Sequence, residues 1–308
     1  MIYKLKESRV YRPFLGGKLL DALRGVQNPT DGHYPERWLG STVAAQNGAG
    51  LAYTTNGKAI RDLYPGEVDV LAKLLDSATR LMIQTHPNDL QAQKYFGYPY
   101  GKRECWYILG VRTINNEDPY VLLGFRPGIT KEKWQDAHHR QDISAMLGML
   151  NRIPVKPGEV YLIPPNVPHA MGSGVFFAEA QQPSDFTFRT EYTSPAGKML
   201  TEEDLHMGAG FDALFDCFSY EASLPQDYRV QPEGSAIIRD EHFHIHRFKG
   251  PAQIKIPRFA IAAVLSGEGH IGNVALAPGD EVFATEEMTI GGTPDILVFA
   301  GKADIQSG

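Results

Sequence analysis

Short apolar segments, each halted after a few residues by glycine or proline, run through most of the chain, and no other feature limits its fold so tightly. Thirty-one glycines and twenty-one prolines punctuate the 308 residues. Proline ends helices and central strands, while glycine permits tight turns, so the pattern favours a mainly β sandwich or barrel over a helical bundle. Residues 155–164 read as strand, turn, strand, with Pro157 and Gly158 at the turn. Residues 276–283 repeat that chemistry with Pro278 and Gly279, after another strand-like stretch at 264–271. The echo predicts a second, smaller barrel near the C-terminus. The polar, turn-rich stretch 226–234 places the boundary, giving units of residues 1–230 and 231–308.

Helical signals interrupt this pattern. Asn88 is a good N-cap for a short helix through Leu90 and Tyr95. Thr130 can cap another through Trp134, followed by Ile143, Met146, Leu147 and Leu150 at helical spacing, and Thr201 with Asp204 forms a capping-box-like start for a third. Residues 68–75 fit two periods. Val68, Val70, Ala72 and Leu74 alternate like a strand, whereas Leu71, Leu74 and Leu75 would suit a helix, and the alternation favours strand.

A net charge of −6 and a pI near 5.9 supply no basic stripe for a nucleic-acid backbone, although a local pocket for one phosphate remains compatible. No apolar run approaches the roughly 18 residues that span a bilayer, and the first residues lack the apolar core of a signal peptide. A cytoplasmic protein without a membrane or nucleic-acid partner is expected; oligomeric state is left open. Only Cys105 and Cys217 are present, so a disulfide framework is not expected.

The residues with the clearest chemistry are Gln84 and His86 in Gln84-Thr85-His86-Pro87, Glu104 in Gly101-Lys102-Arg103-Glu104-Cys105-Trp106, and His169 in Pro165-Asn166-Val167-Pro168-His169. In an extended chain alternate side chains share a face, so Gln84 can point with His86, and Lys102 with Glu104 and Trp106, leaving Cys105 facing away. A set of imidazole, carboxylate and amide without thiolate suits a zinc ion with an open position. The plainer alternative is two hydrogen-bonded histidines at strand ends. His242, His244 and His246 also alternate, but no nearby acid completes a site, so an edge-strand face is expected there. His138 and His139 fall on different sides of a helix, and both are expected to be solvated.

Taken in order, Leu74-Leu75-Asp76, Gln84-Thr85-His86-Pro87, Gly101 to Tyr107, Pro164 to Ala170 and Glu179 to Arg189 resemble the type I mannose-6-phosphate isomerases in their short bacterial form, over most of the chain. The resemblance implies a cupin, a double-stranded β-helix of jelly-roll type, with a smaller cupin-like C-terminal barrel and short helical insertions. It maps the ligands of one zinc ion per chain onto Gln84, His86, Glu104 and His169, with the neutral amide the weakest donor. It implies interconversion of mannose 6-phosphate and fructose 6-phosphate through an enediol, so the expected partner is a small sugar phosphate. Arg189 matches an active-site arginine suited to enediolate charge or phosphate, with enediolate charge preferred. Lys102 falls beside the metal, where it could move protons or bind phosphate. Glu179 and Asp185 are acid or base candidates, and the alternative for Asp185 is to hold Arg189 or a turn.

The chain departs from the family at Phe14-Leu15-Gly16-Gly17, where a tryptophan usually precedes the double glycine, which bears on substrate fit more than on metal binding. Two other readings stay open: a sugar-phosphate-binding cupin without turnover, and an isomerase of a different aldose phosphate.

Overall fold

The structure is a computed structural model and describes residues 1–45 and 47–307. Two antiparallel sheets form the larger barrel. Across the first run Arg229–Val230, Val160–Ile163, Glu104–Val111, Val175–Gln181, Leu71–Ser77, Glu36–Leu39 and Arg9–Val10. Across the second run Phe188–Arg189, Gln84–Thr85, His169–Met171, Tyr120–Phe125 and Leu150–Pro154. Alternation along these strands sends Leu75, Trp106, Ile108 and Phe177 from one sheet against Val121, Leu123, Ile153 and Met171 from the other.

The smaller barrel pairs two further antiparallel sheets around Ile254, Val264, Ile290 and Val298. One of them contains Glu281–Ala284, Ala260–Ser266, Asp295–Ala300 and His244–Lys249, and its edge is Ile2–Lys4 from the other end of the chain. This mainly β, double cupin-like architecture is the one the sequence implied. The expected turns are present, with Gly158 at φ 93° and Gly279 at φ 81°, backbone that side-chain-bearing residues resist.

The outer face of the larger barrel's first sheet is covered too. Leu39, Ala72, Leu74, Cys105 and Ala178 pack against Ile245, Ile261, Phe283, Leu297 and Phe299. Arg37 crosses the same junction to Glu281 at 2.7 Å, both side chains buried. The ambiguous segment is therefore a strand, Leu71–Ser77, buried on both faces and beginning three residues later than Val68.

The helices start where their caps stand. Asn88 closes a capping box on Asp89–Phe96, Thr130 caps Lys131–His139, and Thr201 with Asp204 caps Glu202–His206. Two expectations need correction. Leu150 opens a strand, because the helix Ile143–Gly148 has already ended. His138 is buried against Phe211 and Phe215, so only His139 is exposed; the apolar cluster around Trp134 encloses the helix face that carries His138.

Candidate metal centre and cleft

Register sets the site. In the second sheet Arg189 lies opposite Gln84, and Gln84 opposite His169, so these residues form a row across neighbouring strands. His86 follows just beyond the short strand, before Pro87 ends extended pairing. Glu104 opens its strand in the facing sheet and points back across the barrel. The result is a buried cluster of His86, Glu104 and His169.

Its hydrogen bonds turn several acceptor atoms toward one point. His86 Nδ1 lies 2.8 Å from the carbonyl of Phe186, and His169 Nδ1 lies 2.8 Å from that of Val167. A carbonyl only accepts, so each Nδ1 carries the hydrogen and each Nε2 is left as an acceptor facing the cluster. Those two Nε2 atoms are 3.1 Å apart, and each is 3.3 Å from an oxygen of Glu104. Both Glu104 oxygens are buried without a well-formed hydrogen bond.

Converging lone pairs repel unless a cation lies among them, and the Lys102 ammonium reaches only His86 Nε2 and Glu104 Oε2, not His169 Nε2 or Glu104 Oε1. A tetrahedron with zinc bonds of 2.0–2.1 Å has edges of about 3.3 Å, close to these separations. The donor set therefore fits a metal ion. Gln84 stands next to it, its Nε2 3.2 Å from His169 Nε2, and a half-turn of the amide would present Oε1 instead.

Electrostatics keep the ligands ready. Burial and the Lys102 ammonium hold His86 down to about 3, and burial also lowers His169, so both rings stay neutral at pH 7. Burial pushes Glu104 up, but Lys102 and the two histidines outweigh it and hold the carboxyl well below its usual range. Lys102 Nζ lies 2.9 Å from both His86 Nε2 and Glu104 Oε2, so it sits beside the cluster as its strand face predicts. Trp106, on the same face, meets the His169 ring edge-on at 5.5 Å.

A cleft opens from this point, and Gln84, Lys102, Glu179, Asp185 and Arg189 all line it. All the residues singled out for catalysis thus share one cavity with a metal-side residue. The cleft also contains two cations, Lys73 and Arg12, that the sequence did not flag. Lys73 Nζ lies 2.9 Å from Glu179 Oε1. Arg12 bridges Glu36 at 3.0 Å and Asp185 at 3.1 Å. Burial raises Glu179 above its ordinary range, with Lys73 opposing, whereas Arg12 and Lys73 outweigh burial at Asp185 and lower it. The guanidinium that pairs with the Asp185 carboxylate is therefore that of Arg12, whereas the alternative weighed for Asp185 was to hold Arg189 or a turn.

Lys73 could have been found: the alternation that turns Ala72 and Leu74 one way turns Leu71, Lys73 and Leu75 the other, leaving a lysine inside a barrel. Arg12 carried no such signal. Cys105 packs in the apolar junction between the barrels, facing away from the metal ligands. Among the three alternating histidines, the strand contains only His244 and His246. Asp304 joins them, 2.7 Å from His246 and 3.7 Å from His244, an acid that sequence separation had hidden. Their donor atoms do not converge as those of His86, Glu104 and His169 do.

No protein-family model matches the chain. Among curated proteins it is 28% identical over 208 residues to one from Bacillus subtilis named probable mannose-6-phosphate isomerase GmuF, covering 66% of this chain and 64% of that one. It is 28% identical over 214 residues to mannose-6-phosphate isomerase ManA of the same organism, covering 66% and 63%. The chain thus spans just under two thirds of the length of these relatives. In three dimensions it superposes on the mannose 6-phosphate isomerase of B. subtilis with a TM-score of 0.71 at 22% identity, covering 97% of this chain and 99% of the other. A mannose 6-phosphate isomerase structure bound with zinc and yttrium matches at 0.69 and 18%, covering 98% and 100%. The fold is shared with the two solved structures, and the curated relatives carry the name of the family that the ordered motifs resemble.

Proposed function

We propose that this chain, a relative of mannose-6-phosphate isomerases in sequence and in fold, is itself a zinc-dependent aldose-ketose isomerase that interconverts mannose 6-phosphate and fructose 6-phosphate. The observation that carries the proposal is the set of ligand atoms at tetrahedral edge spacing, beside a cleft lined by buried acid and base groups. A pure binding module has no need of that combination.

His86, Glu104 and His169, with Gln84 as the fourth donor, would hold one zinc ion, which supplies a Lewis acid for the substrate carbonyl oxygen. Isomerisation moves a proton between C1 and C2, so the protein must supply a base on one face of that bond. Glu179 suits that role, because burial raises its affinity for a proton and Lys73 fixes its orientation. Lys102 can exchange a proton with the substrate oxygens, and Arg189 can stabilise negative charge on them. Asp185, held ionised by Arg12, orients hydroxyl groups of the open chain. Residues 1–230 contain all of these groups, and residues 231–308 are assigned a supporting role. A cytoplasmic setting belongs to the same proposal; no helix among the described residues is long and apolar enough to cross a membrane.

The test is a coupled assay of fructose 6-phosphate formation on protein stripped by a chelator and then reloaded with zinc, run also in deuterated water. Activity that vanishes and returns, with solvent deuterium entering the substrate and Glu179→Gln abolishing that entry, is expected. Failure to turn over mannose 6-phosphate with zinc bound would overturn the proposal.

A further inference from the structure

His86 stands just past the end of its strand, so the ladder that fixes Gln84 and Thr85 stops short of it. Its main chain is held instead from the turn that leads into His169. Asn166 N–H donates to the His86 carbonyl at 2.9 Å, and the Asn166 side-chain amide donates to the same oxygen at 3.1 Å. One residue thereby takes both lone pairs of that carbonyl. The next residue of the turn, Val167, offers the carbonyl that accepts from His169 Nδ1. Adjacent residues of a single turn thus grip both candidate imidazole ligands, whose Nε2 atoms face each other at 3.1 Å.

The backbone at Asn166 restricts what can stand there. Its φ is 67°, in the left-handed region where glycine is at ease and asparagine is among the few residues with a side chain that enter readily. Glycine could complete the turn, but it has no amide. The Asn166 amide reaches further than His86: Nδ2 also lies 2.7 Å from Gln91 Oε1 and 3.3 Å from the Cys217 carbonyl, so its two hydrogens are shared among three acceptors. Oδ1 accepts from Asn88 Nδ2 at 3.4 Å, and the Asn166 carbonyl accepts from Ser219 N–H at 2.8 Å. Asn88 and Gln91 form the capping box of Asp89–Phe96, while Cys217 ends the helix Phe211–Asp216. Thr85 Oγ1, beside His86 in sequence, donates to the same Cys217 carbonyl at 2.7 Å. Residues 211–219 do not line the cleft, and these bonds are how that helical segment reaches the site.

We propose that Asn166 is a positioning residue of the metal centre: its amide locks the main chain of His86 to the turn that orients His169, and braces both on the helical segment ending at Cys217. Groups that orient metal ligands from behind are typically worth about tenfold to a hundredfold in metal affinity. Asn166 holds the backbone of one ligand and belongs to the turn that orients the other, so the same scale applies. The assignment rests on the zinc site proposed above, and it gives a duty to a helical segment that contributes no side chain to the cleft.

Zinc affinity, measured by competition with a chromophoric chelator, and the visible spectrum of the cobalt(II)-substituted protein test it. Asn166→Gly keeps the left-handed backbone and the N–H bond to His86 and removes only the amide, so the fold should hold. Its zinc affinity should fall about tenfold to a hundredfold, and its cobalt bands should change in position or intensity. Asn166→Asp keeps the size and the turn preference but loses both donor hydrogens, so it should bind zinc less tightly than the parent although its added charge favours a cation. A merely structural role would lower the melting temperature of the metal-free protein and leave zinc affinity and the cobalt spectrum as in the parent. That result, or zinc affinity within twofold of the parent in both variants, would overturn the assignment, and a parent protein that binds no zinc would overturn it together with the metal centre. Zinc binding that weakens in Asn166→Gly, in a parent without isomerase activity, would leave the positioning role standing and remove the reaction.

Discussion

Replacing Lys73 by methionine isolates the cost of a buried carboxylate. The ammonium lies 2.9 Å from Glu179, with side chains only 3% and 6% exposed. At an effective dielectric of about 20 their attraction is roughly 6 kcal/mol, most of it offset by the desolvation of both groups. Deleting the lysine alone removes the attraction and keeps the desolvation, for which about 3–5 kcal/mol is typical. Glu179 can escape by taking up a proton, and this caps the loss. From its ordinary value of 4.5, neutralising it at pH 7 costs about 3.4 kcal/mol, and at pH 5 only about 0.7 kcal/mol. The folded variant binds a proton that the unfolded chain releases above 4.5, so its stability must fall as pH rises from there. Urea unfolding of Lys73→Met against the parent should therefore show a deficit of about 3 kcal/mol at pH 7 that shrinks to under about 1 kcal/mol at pH 5, and adding Glu179→Gln should recover most of it. A deficit independent of pH, or below about 1 kcal/mol at pH 7, would refute the uncompensated charge as its cause.

Metal-stripped protein should lose stability as pH falls from 6.5: His86 and His169 have folded values below their unfolded 6.5, so their contribution is complete above it and disappears on the way down, and melts that are flat between pH 7 and 5 would contradict this. His138, lowered to about 4 chiefly by burial, acts in the same direction, so His138→Phe should gain on the parent in melting temperature as the buffer is taken from pH 7 to 5. Gly101→Ala would place a Cβ 2.4 Å from the Pro87 carbonyl oxygen and displace the neighbouring Lys102; a fall in kcat/KM of roughly tenfold to a hundredfold is expected, and a wild-type value would show that the backbone there can yield.

The β architecture was legible because turn chemistry is local: Pro157-Gly158 and Pro278-Gly279 mark turns between strands, and each carries the chain from one sheet to another. The three helix caps were local as well. The ligands could be grouped because Gln84 with His86, and Lys102 with Glu104, sit close in sequence and keep the two-residue period of a strand. Legibility failed where partners are distant. Nothing near Arg12 announces that it will meet Asp185, and nothing near His246 announces Asp304. The strand Leu71–Ser77 was ambiguous for a physical reason, since burial on both faces erases the polar half of the alternation on which such a reading depends. His138 was misplaced because a short helix with few apolar residues looks solvated until Phe211 and Phe215 cover it.

The edge strand Ile2–Lys4 has a consequence for the order of events as the chain is made. Its partner is Glu281–Ala284, so as the chain is made this strand must wait, unpaired, until the residues up to 284 have followed. The Arg37–Glu281 bridge waits for the same residues. Closing so long a loop is slow, and until it closes both the guanidinium and the apolar outer face of the sheet that carries Glu104 stay open to water and to other chains. The candidate metal ligands all lie in earlier sequence, yet the wall behind them is finished only after residues 281–284 have been made. Anything that delays that late pairing should lengthen the interval in which a nascent chain is exposed to aggregation.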